Sequence, residues 1–408
     1  MATVYGNAYL VIAATKADGS QAGPFSQTAP DLRGRILRYS HREEHFSFVI
    51  RPAFRHLELL NEESFPLLTR AWAFQERLLP GRIVHFSAND LVWQCHRRTD
   101  CECEASLFGN SIFKRVSGKR SVASKVEDDD WAKDKLYSFR DRWNTVVEEY
   151  STLKLTHSTD FLPALSGLAR QMQTQGRGVY HASVWEDSLI ADLLWETDTP
   201  SPKRAKLWRA PTWSWASVEG SIRIPMNWWS KADYLLLKPE ADKIFYKSLR
   251  AGTQIATSDP TGKILYGTLK VCGQLKTATL HRISWKPRRI KPSIAVGWKP
   301  KSNEVETCNL MMQGPEGNLL PQQSTNFKQD YDIWAEHGST EGLLQVFCLR
   351  MPMMVKYPSY YESLFILVAV EPLGKHVYER VGIAVQMVGY DSEVKDPETK
   401  LGPDAFAS

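Results

Sequence analysis

The hydrophobic pattern changes its period along the chain. Near the amino terminus a helix end runs into a short apolar run, Tyr9 to Ala13, that reads as a buried strand, and a Gly/Ser/Pro-rich loop follows from Asp18 to Pro30. Phe46 to Ile50, Ile83 to Phe86 and Leu91 to Gln94 read as further strands. Between them Ser64 to Leu79 has helical spacing, with Glu62 to Pro66 as its entry. A Pro80-Gly81 break then leads directly into a β-hairpin.

Beyond this point Ser117 to Asp130 is polar, ends in Glu-Asp-Asp-Asp, and reads as a linker. Asp134 to Tyr150 returns to helical spacing. Ser158-Thr159-Asp160 offers caps for another helix, with Pro163 in its first turn, running to about Gln173. After Thr197 short alternating runs take over: Ile264 to Val271, Leu343 to Leu349, Leu364 to Val370 and Val381 to Met387. The pattern predicts an α+β chain in three parts, 1–116, 117–225 and a β-rich carboxy-terminal region 226–408.

At 408 residues the chain can build real cores without disulfide or metal staples. Fourteen tryptophans tilt the reading toward large aromatic cores or stacking surfaces. A net charge of +5, from 51 Lys and Arg against 46 Asp and Glu, gives little steering toward nucleic acid, and none is expected as a partner. The densest basic run, Lys286 to Lys291, is short and contains proline, which suits a solvated loop. No run of about 18 apolar residues occurs, so no membrane span is expected. The amino-terminal stretch lacks a basic leader, and the cytoplasm is the expected location. Six cysteines without regular spacing fit a reducing compartment.

Placed on a helical wheel, Leu68, Trp72, Gln75 and Leu79 share one face, Glu76 lies at its margin and Arg70 opposite. Gln75 therefore points inward. A buried amide without partners costs about 1 to 3 kcal/mol. The expectation is that Gln75 and Glu76 satisfy backbone groups of the following hairpin, with ligand binding as the alternative.

Other candidates carry less. His41-Arg-Glu-Glu-His45 spells an inverted zinc-protease motif but leads into a strand, where its histidines cannot share a helical face. Cys95-His96 and Cys101-Glu-Cys103 lack zinc spacing, so reduced loop thiols and no metal are expected. Pro211-Thr-Trp-Ser-Trp-Ala-Ser217 alternates large and small residues. As a strand it would put Trp213 and Trp215 on one face, as a core ridge or, alternatively, a stacking surface. Leu165-Ser-Gly-Leu168 lacks the glycines of a nucleophile elbow, and Ser117-Gly-Lys-Arg120 lacks the spacing of a phosphate loop.

Arg70-Ala-Trp72 with Gln75-Glu76, followed by a hairpin ending Trp93-Gln-Cys95, resembles the closing motif of the fungal heterokaryon-incompatibility (HET) domain. Val4-Tyr5, Ala8, Ile12-Ala-Ala14, Asp18 and Gly23 resemble that domain's middle section. Tyr150-Ser151, Leu155-Thr156, Asp160 and Leu162 through Ala169 are similar to the helical region after it. Tyr180, Trp185, Leu193-Leu-Trp195, the Pro211–Ser217 stretch and Val377 to Gly382 resemble the tail of such proteins.

This resemblance implies a partial, Toll/interleukin-receptor-like (TIR-like) α/β HET remnant over 1–116, amino-terminally truncated because the domain's opening strand and tryptophan motifs are not found. It also implies a role in non-self recognition and programmed cell death, through protein partners, with the truncated form inactive or incomplete. Some TIR-like domains cleave NAD. Whether this chain is an enzyme stays open; if it is, NAD would be its substrate, no resident cofactor is expected, and Glu76 or Arg70 would contribute to the pocket. A non-catalytic interaction module centred on the β-rich part is the remaining alternative.

Overall fold

The computed structural model describes residues 1–50 except 20, 26, 28, 29, 31, 32, 42 and 43; 65–102 except 89 and 96–98; and 135–224 except 200. It further describes 246–285 except 274, then 305–312, 325–337, 343–351, 354–355, 361–370 and 376–389. The expected linker at 117–130 and the basic run at 286–291 lie outside these residues. Mixed helix and strand make the chain α+β. It divides into two compact units, Met1–Tyr180 with Ile255–Lys263, and His181–Gln254 with Ile264–Ser408. The expected boundaries at 116 and 225 lie outside the described residues.

The first unit is built on a four-stranded sheet, in the order β1 (Val11–Ala13), β4 (Arg82–Phe86), β5 (Leu91–Cys95), β6 (Thr99–Cys101). β1 runs parallel to β4, whereas β4, β5 and β6 are antiparallel. Burial alternates along the hairpin, so Ile83, His85, Val92 and Gln94 share the covered face. An intervening hairpin, β2 (Arg35–His41) and β3 (Glu44–Ile50), is exposed throughout. His41 ends one of its strands and His45 lies in the other, which confirms that the metal spelling is not on a helix.

Helices α1 (Ala2–Gly6), α2 (Ala71–Leu78), α3 (Lys135–Ser151) and α4 (Ser166–Thr174) belong to the same unit. Its core gathers Phe74, Trp143, Val147, Tyr150, Leu162, Leu165 and Leu168. Two helices differ from expectation. The run to Leu79 is broken at Arg70, where the backbone is extended between a 3-10 turn at Pro66–Thr69 and α2. The second difference is at Pro163, which has no N–H to continue a ladder. Ser158–Asp160 accordingly forms a separate 3-10 turn, and α4 starts only at Ser166.

In the second unit short strands come first. β7 (Tyr180–His181) pairs with β8 (Val184–Trp185), β9 (Glu196–Thr197) with β12 (Ile222–Arg223), and β10 (Lys203–Arg204) with β11 (Val218–Glu219). α5 (Leu189–Asp192) lies among them, and β13 (Tyr246–Ile255) pairs with β14 (Ile264–Gly273). The main sheet follows in the order β16 (Val305–Met312), β15 (Leu275–Trp285), β18 (Leu343–Arg350), β20 (Tyr361–Val370), β21 (Glu379–Gly389), β17 (Thr325–Gln329), with β19 (Met354–Val355) also on β20. Its pairings are antiparallel, and the four strands expected after Thr197 are all present. Ala278, Leu280, Val346, Cys348, Val381 and Ala384 of this sheet pack with Tyr331, Ile333 and Trp334, the last two on α6 (Ile333–His337).

A buried ion pair ties this sheet to the tryptophan-rich segment before it. The Arg380 guanidinium holds Asp330 in a two-pronged contact at 2.8 and 3.3 Å, donates to the carbonyls of Leu193 and Trp195 at 2.6 Å each, and lies 3.7 Å from the Trp195 ring centroid. Burial raises the Asp330 carboxyl to about 6 even with Arg380 beside it.

The Pro211–Ser217 stretch is a correction to the sequence reading. It is a turn running into a 3-10 helix at Trp215–Ser217, not a strand. The Ser214 hydroxyl accepts from Ala216 N at 3.1 Å, and Ser217 N donates to Ser214 O at 3.0 Å, so local bonds close the chain on itself. Cys101 is disulfide-bonded, against the expectation of reduced thiols, whereas Cys95, Cys272 and Cys348 are thiols.

Candidate functional site

Each motif residue of α2 with a described bond contacts a different part of the first unit. Gln75, 1% exposed, accepts from Gly167 N at 2.6 Å through its Oε1. That donor is one of the first N–H groups of α4, which no intrahelical carbonyl can satisfy. A Cβ at position 167 would collide with the Gln75 amide and with Ala2 Cβ, so glycine is what allows the approach. Trp72 Nε1 donates to Asp160 Oδ2 at 3.2 Å. Glu76 is half-buried and hydrogen-bonded to the Tyr5 hydroxyl; burial first, and then the Glu76 charge, raise the Tyr5 pKa.

Arg70 itself is exposed, and its backbone forms a parallel bridge with Lys154. Ala71 N donates to Lys154 O at 3.0 Å, and Lys154 N donates to Thr69 O at 2.7 Å. The wheel therefore placed Gln75 correctly, but its partner is the α4 terminus rather than the hairpin.

The hairpin has its own buried polar link. His85 lies 3.0 Å from Gln94 Oε1 through Nε2 and 3.0 Å from the Thr15 hydroxyl through Nδ1. With the imidazole neutral, Nε2–H donates to Gln94 Oε1 and Nδ1 faces the Thr15 hydroxyl, whose one proton is shared with the Ala13 carbonyl at 3.2 Å. Burial depresses its pKa to about 4, with the Arg77 charge acting in the same direction.

Beside this link lies a cavity of about 260 Å³. Arg77 and Leu78 of α2, Ile83 of β4, Gln94 and Cys95 of β5, Arg142 and Val146 of α3, and Leu168, Gln171 and Met172 of α4 line it, with Pro80 and Gln175. No acidic residue is in this lining. Arg77 meets Glu149 at 3.4 Å. Arg142 donates to Gln175 Oε1 at 3.3 Å, and burial lowers its pKa.

Sequence reasoning did not find this cavity. Arg70, Trp72, Gln75 and Glu76 are absent from its walls, and α2 contributes Arg77 instead. One signal was available: Leu168, Gln171, Met172 and Gln175 recur at i, i+3, i+4 and i+7, a stripe whose mixed polarity suits a lined cavity better than a dry core.

Trp213 and Trp215 are core residues, 7% and 1% exposed. Trp215 Nε1 donates to Ser183 O at 3.2 Å, and Trp213 O accepts from Trp195 Nε1 at 3.0 Å. Ser214 Oγ donates to Ala182 O at 2.6 Å, beside two residues with positive φ, Ala182 at 48° and Ser183 at 76°. The stacking alternative has no exposed ring face to use.

Among the described residues no cluster of three or more His, Cys, Asp or Glu could hold a metal ion, and no helix is long and apolar enough to cross a membrane. No family model, no curated protein and no solved structure matches this chain.

Proposed function

We propose that this chain is a HET-domain protein acting in fungal non-self recognition and programmed cell death, with protein partners. One observation carries the reading. The segments that resemble separate blocks of that family meet in space: Tyr5 on Glu76, Trp72 on Asp160 and Gln75 on Gly167. Such contacts are what the reading expects, since the blocks would fold together as one scaffold. The TIR-like ancestry of residues 1–116 belongs to the same proposal, supported by the parallel pairing of β1 with β4.

Within this reading the α2 motif is scaffold. Its Gln and Trp side chains are committed to the α3–α4 region, and no described bond leaves them free for a reacting group. The test is hyphal fusion: a strain producing the chain is fused with one lacking it, and compartment death is scored by vital-dye uptake. We take the chain as active here, against the expectation of an inactive or incomplete form, so death above the level of self-fusions is expected. Fused cells as viable as self-fusions would overturn the proposal.

A further inference from the structure

The cavity beside α2 has a chemistry that the family reading does not use. Its apolar wall is Leu78, Ile83, Val146, Leu168 and Met172, and its polar wall is two guanidinium groups and three amides. Of the two cations, Arg77 already has a carboxylate, Glu149 at 3.4 Å. Arg142 has none: its described partner is the neutral Gln175 amide oxygen, at 3.3 Å. A partly buried cation facing only neutral dipoles gives up hydration without a countercharge, and a negative group brought into the cavity would restore it.

We infer that this cavity binds a small organic anion, its acid group on Arg142 and its apolar part against Val146, Leu168 and Met172. One uncompensated positive charge favours a monoanion over a polyphosphate. A cavity of about 260 Å³ is at the small end for ligand pockets. It limits the occupant to about 13 non-hydrogen atoms, on the order of 20 Å³ each at interior packing density. The amides of Gln94, Gln171 and Gln175 supply both donors and acceptors, and can orient a polar substituent. A carboxylate and a phosphate diester share this chemistry.

The test uses the full chain and isothermal calorimetry at neutral pH with three probes: phenylacetate, the monoanionic diester phenyl methyl phosphate, and neutral phenylacetamide. At least one anion is expected to bind tenfold or more tighter than phenylacetamide. A carboxylate preference or a phosphate preference then identifies the source. Arg142→Gln is expected to abolish that tenfold advantage, and Arg142→Lys to keep part of it. Val146→Phe, which fills the cavity, should weaken the anions and the amide together. Thermal unfolding of each variant verifies that it is folded. If both anions bind no tighter than phenylacetamide, or if folded Arg142→Gln keeps the advantage, the assignment is wrong.

Discussion

At the residue scale the first unit depends on a few buried polar groups that have partners. Gln75 and Gly167 form one such pair, and they are coupled sterically as well as by the hydrogen bond. Gln75→Ala leaves the Gly167 N–H unsatisfied and is expected to destabilise the unit by about 1 to 3 kcal/mol in urea unfolding. Gly167→Ala should lose a similar amount, and because the Gln75 amide is part of what its methyl meets, the double variant should lose less than the sum. His85 carries a pH dependence. Its folded pKa of about 4 lies below the usual 6.5, so the unfolded chain takes up a proton first as pH falls. The neutral imidazole's contribution is present above pH 6.5 and lost between there and 4, about 3 kcal/mol in all. Hydrogen exchange at the β4–β5 amides should follow this loss, and His85→Gln should flatten it. Gln75 was legible from its wheel position, but its partner was not, because that contact spans 92 residues. His85 gave no sign, since a lone histidine in a strand reads the same buried or exposed.

At the scale of elements, strands were easier to foresee than turns. The β-rich region followed from period-two runs, whose burial is set by the pleat itself. The Pro211–Ser217 segment has the same alternation and is not a strand, because serine and proline offer local bonds that outcompete a ladder. Ser214 is the centre of this turn, bonding Ala216 N, Ala182 O and the Ser183 hydroxyl. Ser214→Ala should therefore destabilise the second unit by about 1 to 2 kcal/mol, as loss of a cap does, measured by thermal unfolding. Ser217→Ala, whose hydroxyl donates only to Ser214 O among the described contacts, should have a smaller effect. The start of α4 escaped prediction for a related reason: Pro163 is compatible with a first helical turn but has no N–H with which to continue one begun at Ser158.

At the scale of the whole molecule the sequence carried the α+β class and the location of the β-rich region, but not the division into two units. Residues 255–263 group with the first unit although they lie far along the chain, held by Arg170 on Asp259 at 2.6 Å and by the Thr261 hydroxyl donating to Ser166 O at 3.0 Å. No periodicity announces such a return. We propose that the motif residues build a HET-type scaffold and do not themselves react. The most direct test is compartment death after hyphal fusion, normalised to the amount of folded chain, for the wild type, Gln75→Ala and Glu76→Gln. Death above self-fusion is expected for the wild type, and the same death per folded molecule in all three. A folded Glu76→Gln chain at wild-type abundance that no longer kills, or a wild type that never does, would contradict the proposal.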